Sequence, residues 1–258
     1  MRLMKRILSA AAVLALSASL LVGCSSGTAS SVPVSASSAA ESTVSSVEET
    51  ASSAVDENEA AAAQLLNDLT GSYQELWPVI LADEYKQTWL DDCTALVGED
   101  NAEAAFEKLS SMVTGDVYGE DAVKAYANGG GAYFCGFTNS LAILTFDGET
   151  STISGTDKDG NMLFSHTYHY IGMEPVRGLY EFQSDDADSG EFTYFFLAPD
   201  TSAETYHIEF RYGSDADALS QYDAGDYAYW LASGISTDCD QTMIDNCIEL
   251  FCTENLAG

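Results

Sequence analysis

The sequence predicts a mainly β domain, a small antiparallel up-and-down barrel flanked by helices, and three observations carry that reading. From Ala132 to Tyr212 the chain is aromatic and β-branched, with turn signals such as Asp147-Gly148 and Asp159-Gly160 recurring every eight to twelve residues. About seven strands fit between those turns, near 132–138, 141–147, 150–155, 161–170, 177–183, 191–197 and 204–212. Stretches of helical spacing lie on either side of this region.

The elements follow in chain order. Met1 to Arg6 is cationic, and Ile7 to Val22 is apolar or small, too short and Ser/Ala-rich for a comfortable membrane span. Residues 1–23 therefore read as a signal peptide. It ends in Leu21-Val22-Gly23-Cys24, which resembles the lipobox of bacterial lipoproteins, so Cys24 is the expected lipid-attachment site. Acyl chains there would hold the protein on the extracytoplasmic face of the membrane without a spanning helix. Residues 24–57 are mainly Ser, Ala, Thr, Val and Glu; the first aromatic of the chain is Tyr73. So few bulky side chains cannot offset ordering entropy, and a flexible tether is expected. Residues 58–258 form the single folded domain.

Within that domain Ala60 to Leu69 is rich in strong helix formers, and Gly71-Ser72 breaks the run. Tyr73, Leu76, Trp77, Ile80 and Leu81 then fit one helical face, with Pro78 tolerated only in a short or kinked helix. Further helices fit Glu84 to Thr94, Ala102 to Met112 and Glu120 to Ala127. Asn128 to Gly131 ends this half. After the strands, Asp215 to Tyr222 fits a short helix and Asp240 to Thr253 a last one.

Charge excludes whole classes of partner. Nine Lys and Arg face 41 Asp and Glu, a formal net charge of -32, and three of those cations lie in the first six residues. Such a surface repels phosphate backbones and anionic headgroups, so no nucleic-acid partner is expected. It is compatible with a divalent cation, and equally with simple solubility. The five cysteines beyond Cys24 form no C-x-x-C pair and none stands near a His in sequence, so no zinc ribbon is read. Cys247 shares helical spacing with Ile244, Ile248 and Phe251 and reads as a small buried hydrophobe. Outside the cytoplasm some could pair, and an odd count leaves at least one free or intermolecular.

Several stretches, in order, resemble the ZinT family of lipocalin-like zinc- and cadmium-binding envelope proteins. Leu69-Thr70-Gly71-Ser72-Tyr73-Gln74-Glu75-Leu76-Trp77-Pro78 is similar to the family's opening motif. Tyr168-His169-Tyr170-Ile171-Gly172 and Val176-Arg177-Gly178-Leu179-Tyr180-Glu181-Phe182 resemble two later strand segments, and Ala203-Glu204-Thr205-Tyr206-His207-Ile208 a third. The resemblance implies a lipocalin- or calycin-like barrel, a divalent metal (zinc, and with it cadmium), and a metal importer as partner. It also implies three histidine ligands. Two of those positions fall near Phe196 and at Thr205 in this chain, and the third is retained as His207.

Candidate chemistry is accordingly sparse. On a strand His207 shares a face with Thr205 and Glu209, and a remnant metal site completed by Glu209, Glu204 or His169 from another strand is one reading. The other is a solvent-facing polar stripe opposite Tyr206, Ile208 and Phe210. His166 and His169 are three apart and point to opposite faces, so they form no clamp. Asp157-Lys158-Asp159-Gly160-Asn161 begins like a calcium loop, but Gly160 is fourth rather than sixth and the twelfth residue is Tyr168, so a hairpin turn is expected. Ser214-Asp215-Ala216-Asp217 reads as a capped helix start.

No nucleophile–base or paired-carboxylate spacing stands out, and no enzyme is expected. The alternative to metal binding is a lipocalin-like module whose rings (Tyr133, Phe137, Phe146, Tyr168, Phe182 and Phe195) line a ligand cavity or simply pack. Two or more imidazoles in one cavity would favour metal, and one would favour the module. Mass spectrometry of the membrane-fraction protein is expected to find diacylglycerol on Cys24; an unmodified, freely secreted chain would refute the lipoprotein reading.

Overall fold

The structure is a computed structural model that describes residues 57–127, 129–198 and 207–257. The signal peptide, Cys24 and all but the last residue of the expected tether lie outside the described residues, as do Glu204 and Thr205. No described helix is long and apolar enough to cross a membrane.

Eight strands among the described residues form a closed antiparallel barrel in which each pairs with its sequence neighbours. They are β1 (Gly71–Glu75), β2 (Ile143–Asp147), β3 (Thr152–Thr156), β4 (Met162–Met173), β5 (Tyr180–Ser184), β6 (Tyr194–Leu197), β7 (His207–Gly213) and β8 (Ala232–Ser236). This is the lipocalin-like up-and-down topology the sequence predicts. Helices cover one side and one end: α1 (residues 57–68), α2 (Leu76–Ile80), α3 (Lys86–Val97), α4 (Glu99–Val113), α5 (Glu120–Ala125), α6 (Ala216–Leu219) and α7 (Gln241–Leu256).

Alternation along the strands divides the apolar residues into two cores. The inner one fills the barrel with Phe146, Phe164, Tyr168, Phe182, Phe195 and Tyr212 among others. Phe195 stacks on Tyr212 at 5.4 Å and Tyr212 meets Trp230 edge-on at 4.9 Å, geometries worth about 0.5–1.5 kcal/mol each beyond burial. Phe137, Phe146, Tyr168, Phe182 and Phe195 therefore pack into the barrel core, while Tyr133 belongs to the outer cluster. The outer core lies between barrel and helices, where Trp77, Ile80, Trp89, Ile235 and Ile248 meet. Trp89 is fully buried there and its Nε1 donates to the Ile80 carbonyl at 2.7 Å.

Three elements differ from expectation. Tyr73 to Leu81 is not one helical face: Gly71–Glu75 is a strand, and only Leu76–Ile80 is helical, with Pro78 in its first turns. Pairing decides this, because β1 bonds β2 on one side and β8 on the other, which no helix could do. Residues 132–138 are not a strand. Only Phe134 makes isolated bridges, to Thr114 and Trp230, and no ladder forms; Phe137 of this segment enters the barrel core while Tyr133 and Cys135 join the outer cluster. The last strand, Ala232–Ser236, has no counterpart in the sequence reading. The Asp157 carboxylate accepts from Asp159 N and Asn161 N, each at 2.9 Å, and Gly160 has φ +81°, so this is a hairpin turn and not a calcium loop. Asp215 caps α6 by accepting from Ala218 N at 3.0 Å.

Arg211 fastens the connection between α6 and β8 to the barrel wall. It is fully buried on the outward face of β7, and its guanidinium donates to the carbonyls of Leu219, Gln221 and Tyr227. Its carbon lies 4.4 Å from the centre of the Tyr222 ring. Burial lowers its pKa, yet a guanidinium keeps its charge in proteins. Arg211→Met should destabilise the domain by about 3 kcal/mol or more, because those carbonyls lose charged donors. Urea denaturation followed by circular dichroism would check it; an unchanged midpoint would show the clamp to be dispensable.

Candidate functional site

His207 sits at the start of β7. Ile208, Phe210 and Tyr212 of that strand enter the inner core, so His207, Glu209 and Arg211 face outward. That outward face is not a solvent stripe, as one reading of the sequence has it. Helices α2 and α7 lie over it and leave a narrow crevice of about 20 Å³, room for little more than one water-sized guest. His207, Glu209 and Glu254 supply its polar wall, with the Cys247 thiol; Leu76, Trp77, Ile80 and Phe251 make the rest apolar. Both His207 and Glu209 are half-buried.

Each wall has a local cause. The Asp240 side chain caps α7 by accepting from Met243 N at 3.0 Å, which starts the helix in a register that puts Cys247, Phe251 and Glu254 on one face. Trp77 and Phe251 lock edge to face at 4.7 Å and hold α2 and α7 together across the crevice. Sequence reasoning missed Glu254. The signal was present, since residues 247, 250, 251 and 254 follow helical spacing, but nothing in the sequence says that this face looks at β7.

Burial, and after it the Glu209 carboxylate, pushes the Cys247 thiol up to about 12. The same two causes, in the same order, push the Cys135 thiol up to about 12. Both thiols are protonated at neutral pH and poor metal ligands until a cation displaces the proton.

The other predicted site residue is elsewhere. His169 is exposed on β4, with its Nδ1 2.6 Å from Asp185 Oδ1. Register carries it across Gln183 and Tyr194 to Gly213 of β7. It is thus three strands and six residues away from His207, roughly 20 Å along the strand direction alone. The structure brings His207 and Glu209 together and leaves His169 out. His166, on the opposite face, has its Nδ1 2.7 Å from Asp186 Oδ2. Phe196 stands opposite Arg211, four residues along β7 from His207 and roughly 14 Å off. Phe196 is therefore not among the residues that line the crevice. Ala198 N bonds Glu209 O. Among the described residues no three His, Cys, Asp or Glu side chains converge closely enough to hold a metal ion.

Comparison with protein-family models finds no match, and neither does comparison with curated proteins. Among solved structures, the Zn(II)-bound ZinT-like domain of Streptococcus pneumoniae AdcA is 14% identical, with a TM-score of 0.44, over 70% of this chain and 87% of that one. Zn(II)-bound AdcA from the same organism is 14% identical with a TM-score of 0.40, over 71% of this chain; the match spans 34% of AdcA. The first is described as a ZinT-like domain, the family that the sequence stretches resemble. The barrel assignment itself rests on the strand register described above.

The buried thiols make alkaline stability a readout of this region. A thiol whose folded pKa is raised from 9.0 to about 12 keeps its proton in the native state when the unfolded chain has lost it. The native state then binds more protons, so stability falls as pH rises from 9 through 12, by about 1.4 kcal/mol per pH unit for each thiol. Cys247→Ala should flatten that slope in urea midpoints measured from pH 8 to 11; an unaltered slope would mean that Cys247 is not held in its thiol form.

Proposed function

We propose that this chain is a lipid-anchored envelope protein that binds a divalent metal weakly, zinc and with it cadmium, for homeostasis or for delivery to an importer. The observation that carries the proposal is the crevice beside β7, where an imidazole and two carboxylates, His207, Glu209 and Glu254, face one small space. Zinc takes nitrogen, oxygen and sulfur donors, so the donor types suit it. Their arrangement explains weakness. With no three donors already convergent among the described residues, carboxylate side chains must reorient before an ion is held, and that ordering subtracts from affinity. The strongly acidic surface raises the local concentration of any cation and so favours capture. No catalytic role is part of this reading.

A second reading, an interaction module that has lost metal binding, is favoured by one observation: a single imidazole lines the crevice, while the other two lie on β4. Among the described residues the rings named as candidate cavity lining pack in the barrel core, Tyr133 excepted, and such a module would then use its outer surface.

Calorimetry with zinc on the purified domain separates the two. One zinc per chain is expected, with affinity falling at least tenfold in His207→Ala and also falling in Glu254→Gln. Because an imidazole ligand must be neutral, binding should fade as pH drops through the histidine range. Equal zinc uptake by the native protein and His207→Ala would remove His207 from the site, and no uptake by either would leave the interaction module.

A further inference from the structure

Helices α3 and α7 are joined by an unusual contact. Cys93 of α3 and Cys252 of α7 stand with their sulfurs 3.9 Å apart, and both residues are fully buried. They are 159 positions apart in sequence. All five described cysteines are free thiols here, and among them this is the pair with sulfurs in contact. Cys135 lies against the Tyr133 carbonyl in the segment crossing the barrel, and Cys239 is half-buried ahead of α7.

We propose that Cys93 and Cys252 are a cross-linking pair: exposed to a disulfide oxidant, they close a disulfide that ties α3 to α7. At 3.9 Å the sulfurs are in van der Waals contact, and rotation about the two Cα–Cβ bonds can bring them toward the bonding distance of about 2.0 Å. The step is a thiol–disulfide exchange. One cysteine, as thiolate, attacks a sulfur of the oxidant and expels that oxidant's other sulfur as a thiol; the second thiolate then displaces the first oxidant sulfur. Two protein thiols become one disulfide, and the oxidant disulfide leaves as two thiols. The five described cysteines are thereby divided into one pair and three single thiols.

Burial also sets when the bond forms. It raises the pKa of both thiols, and no oxidant reaches fully buried sulfur. Closure therefore takes place during folding, or when α7 swings away from α3. Once made, the bond is protected by the same burial and resists reductants until the domain opens. The contact joins an element near the start of the domain to its last helix, so the cross-link constrains the unfolded chain over most of the domain's length. It also fixes the helix that carries Phe251 and Glu254. The cross-link does not depend on whether that crevice takes a metal.

The test uses the full chain, unfolded in denaturant and refolded with oxidised glutathione. Expected are an intact mass lower by two hydrogen atoms, a protease fragment joining the Cys93 and Cys252 peptides, and a higher urea midpoint that added reductant returns to the reduced value. Cys93→Ser and Cys252→Ser should each lose the reductant response while remaining folded by circular dichroism. Should either serine variant fail to fold, the fragment map of the native chain decides alone. Alkylation of both residues after oxidative refolding would overturn the proposal, and so would a bridge from either of them to any other thiol.

Discussion

The pairing of Gly71–Glu75 with Ala232–Ser236 closes the barrel, and most of the remaining structure depends on that closure. Without it the sheet has two open edges whose unpaired backbone groups would need other partners. With it, the first and last strands lie side by side, and the helices that follow them directly emerge on the same outer face. One is α2, which begins at the residue after β1; the other is α7, a few residues beyond β8. The crevice over His207 exists because closure delivers these two helices to one place. The thiol contact between α3 and α7 follows from the same geometry.

Closure also explains the residues of β8. Four of its five positions are buried, since one face meets the inner core and the other meets the helices. Space there is short. A side chain at Gly234 would start 3.1 Å from Ile208 Cγ1 and 3.3 Å from the Phe137 ring, so glycine is chosen for fit although it is a poor strand former. Small residues on β8 leave room for large ones opposite, as expected when a barrel interior is filled to crystal-like density.

The outer face of β7 shows how polar residues are used under a helical cover. Arg211 finds carbonyl acceptors and an aromatic ring, and so becomes a structural clamp. His207 and Glu209, nearer the start of the strand, fall instead where α2 and α7 leave a gap. The same alternation thus yields a clamp at one end and a candidate ligand set at the other. What differs is the element lying above each residue.

Much of this was legible in the sequence. Turn spacing and alternation pointed to the antiparallel barrel and located six of its eight strands, because a strand with one face to the core and one to solvent or polar cover must alternate. Helical periodicity found α3, α4 and α7, and the spacing of His207 and Glu209 placed them on one face. Tertiary structure alone decided the closing strands. Gly71–Glu75 adjoins a helix and shares its apolar pattern, and Ala232–Ser236 is buried on both faces and so has no alternation to read. It alone decided, too, that Glu254 joins His207 while His169 and Phe196 do not. Periodicity tells which side of an element a residue occupies, whereas strand register and helix docking, set by contacts distant in sequence, determine what that side meets.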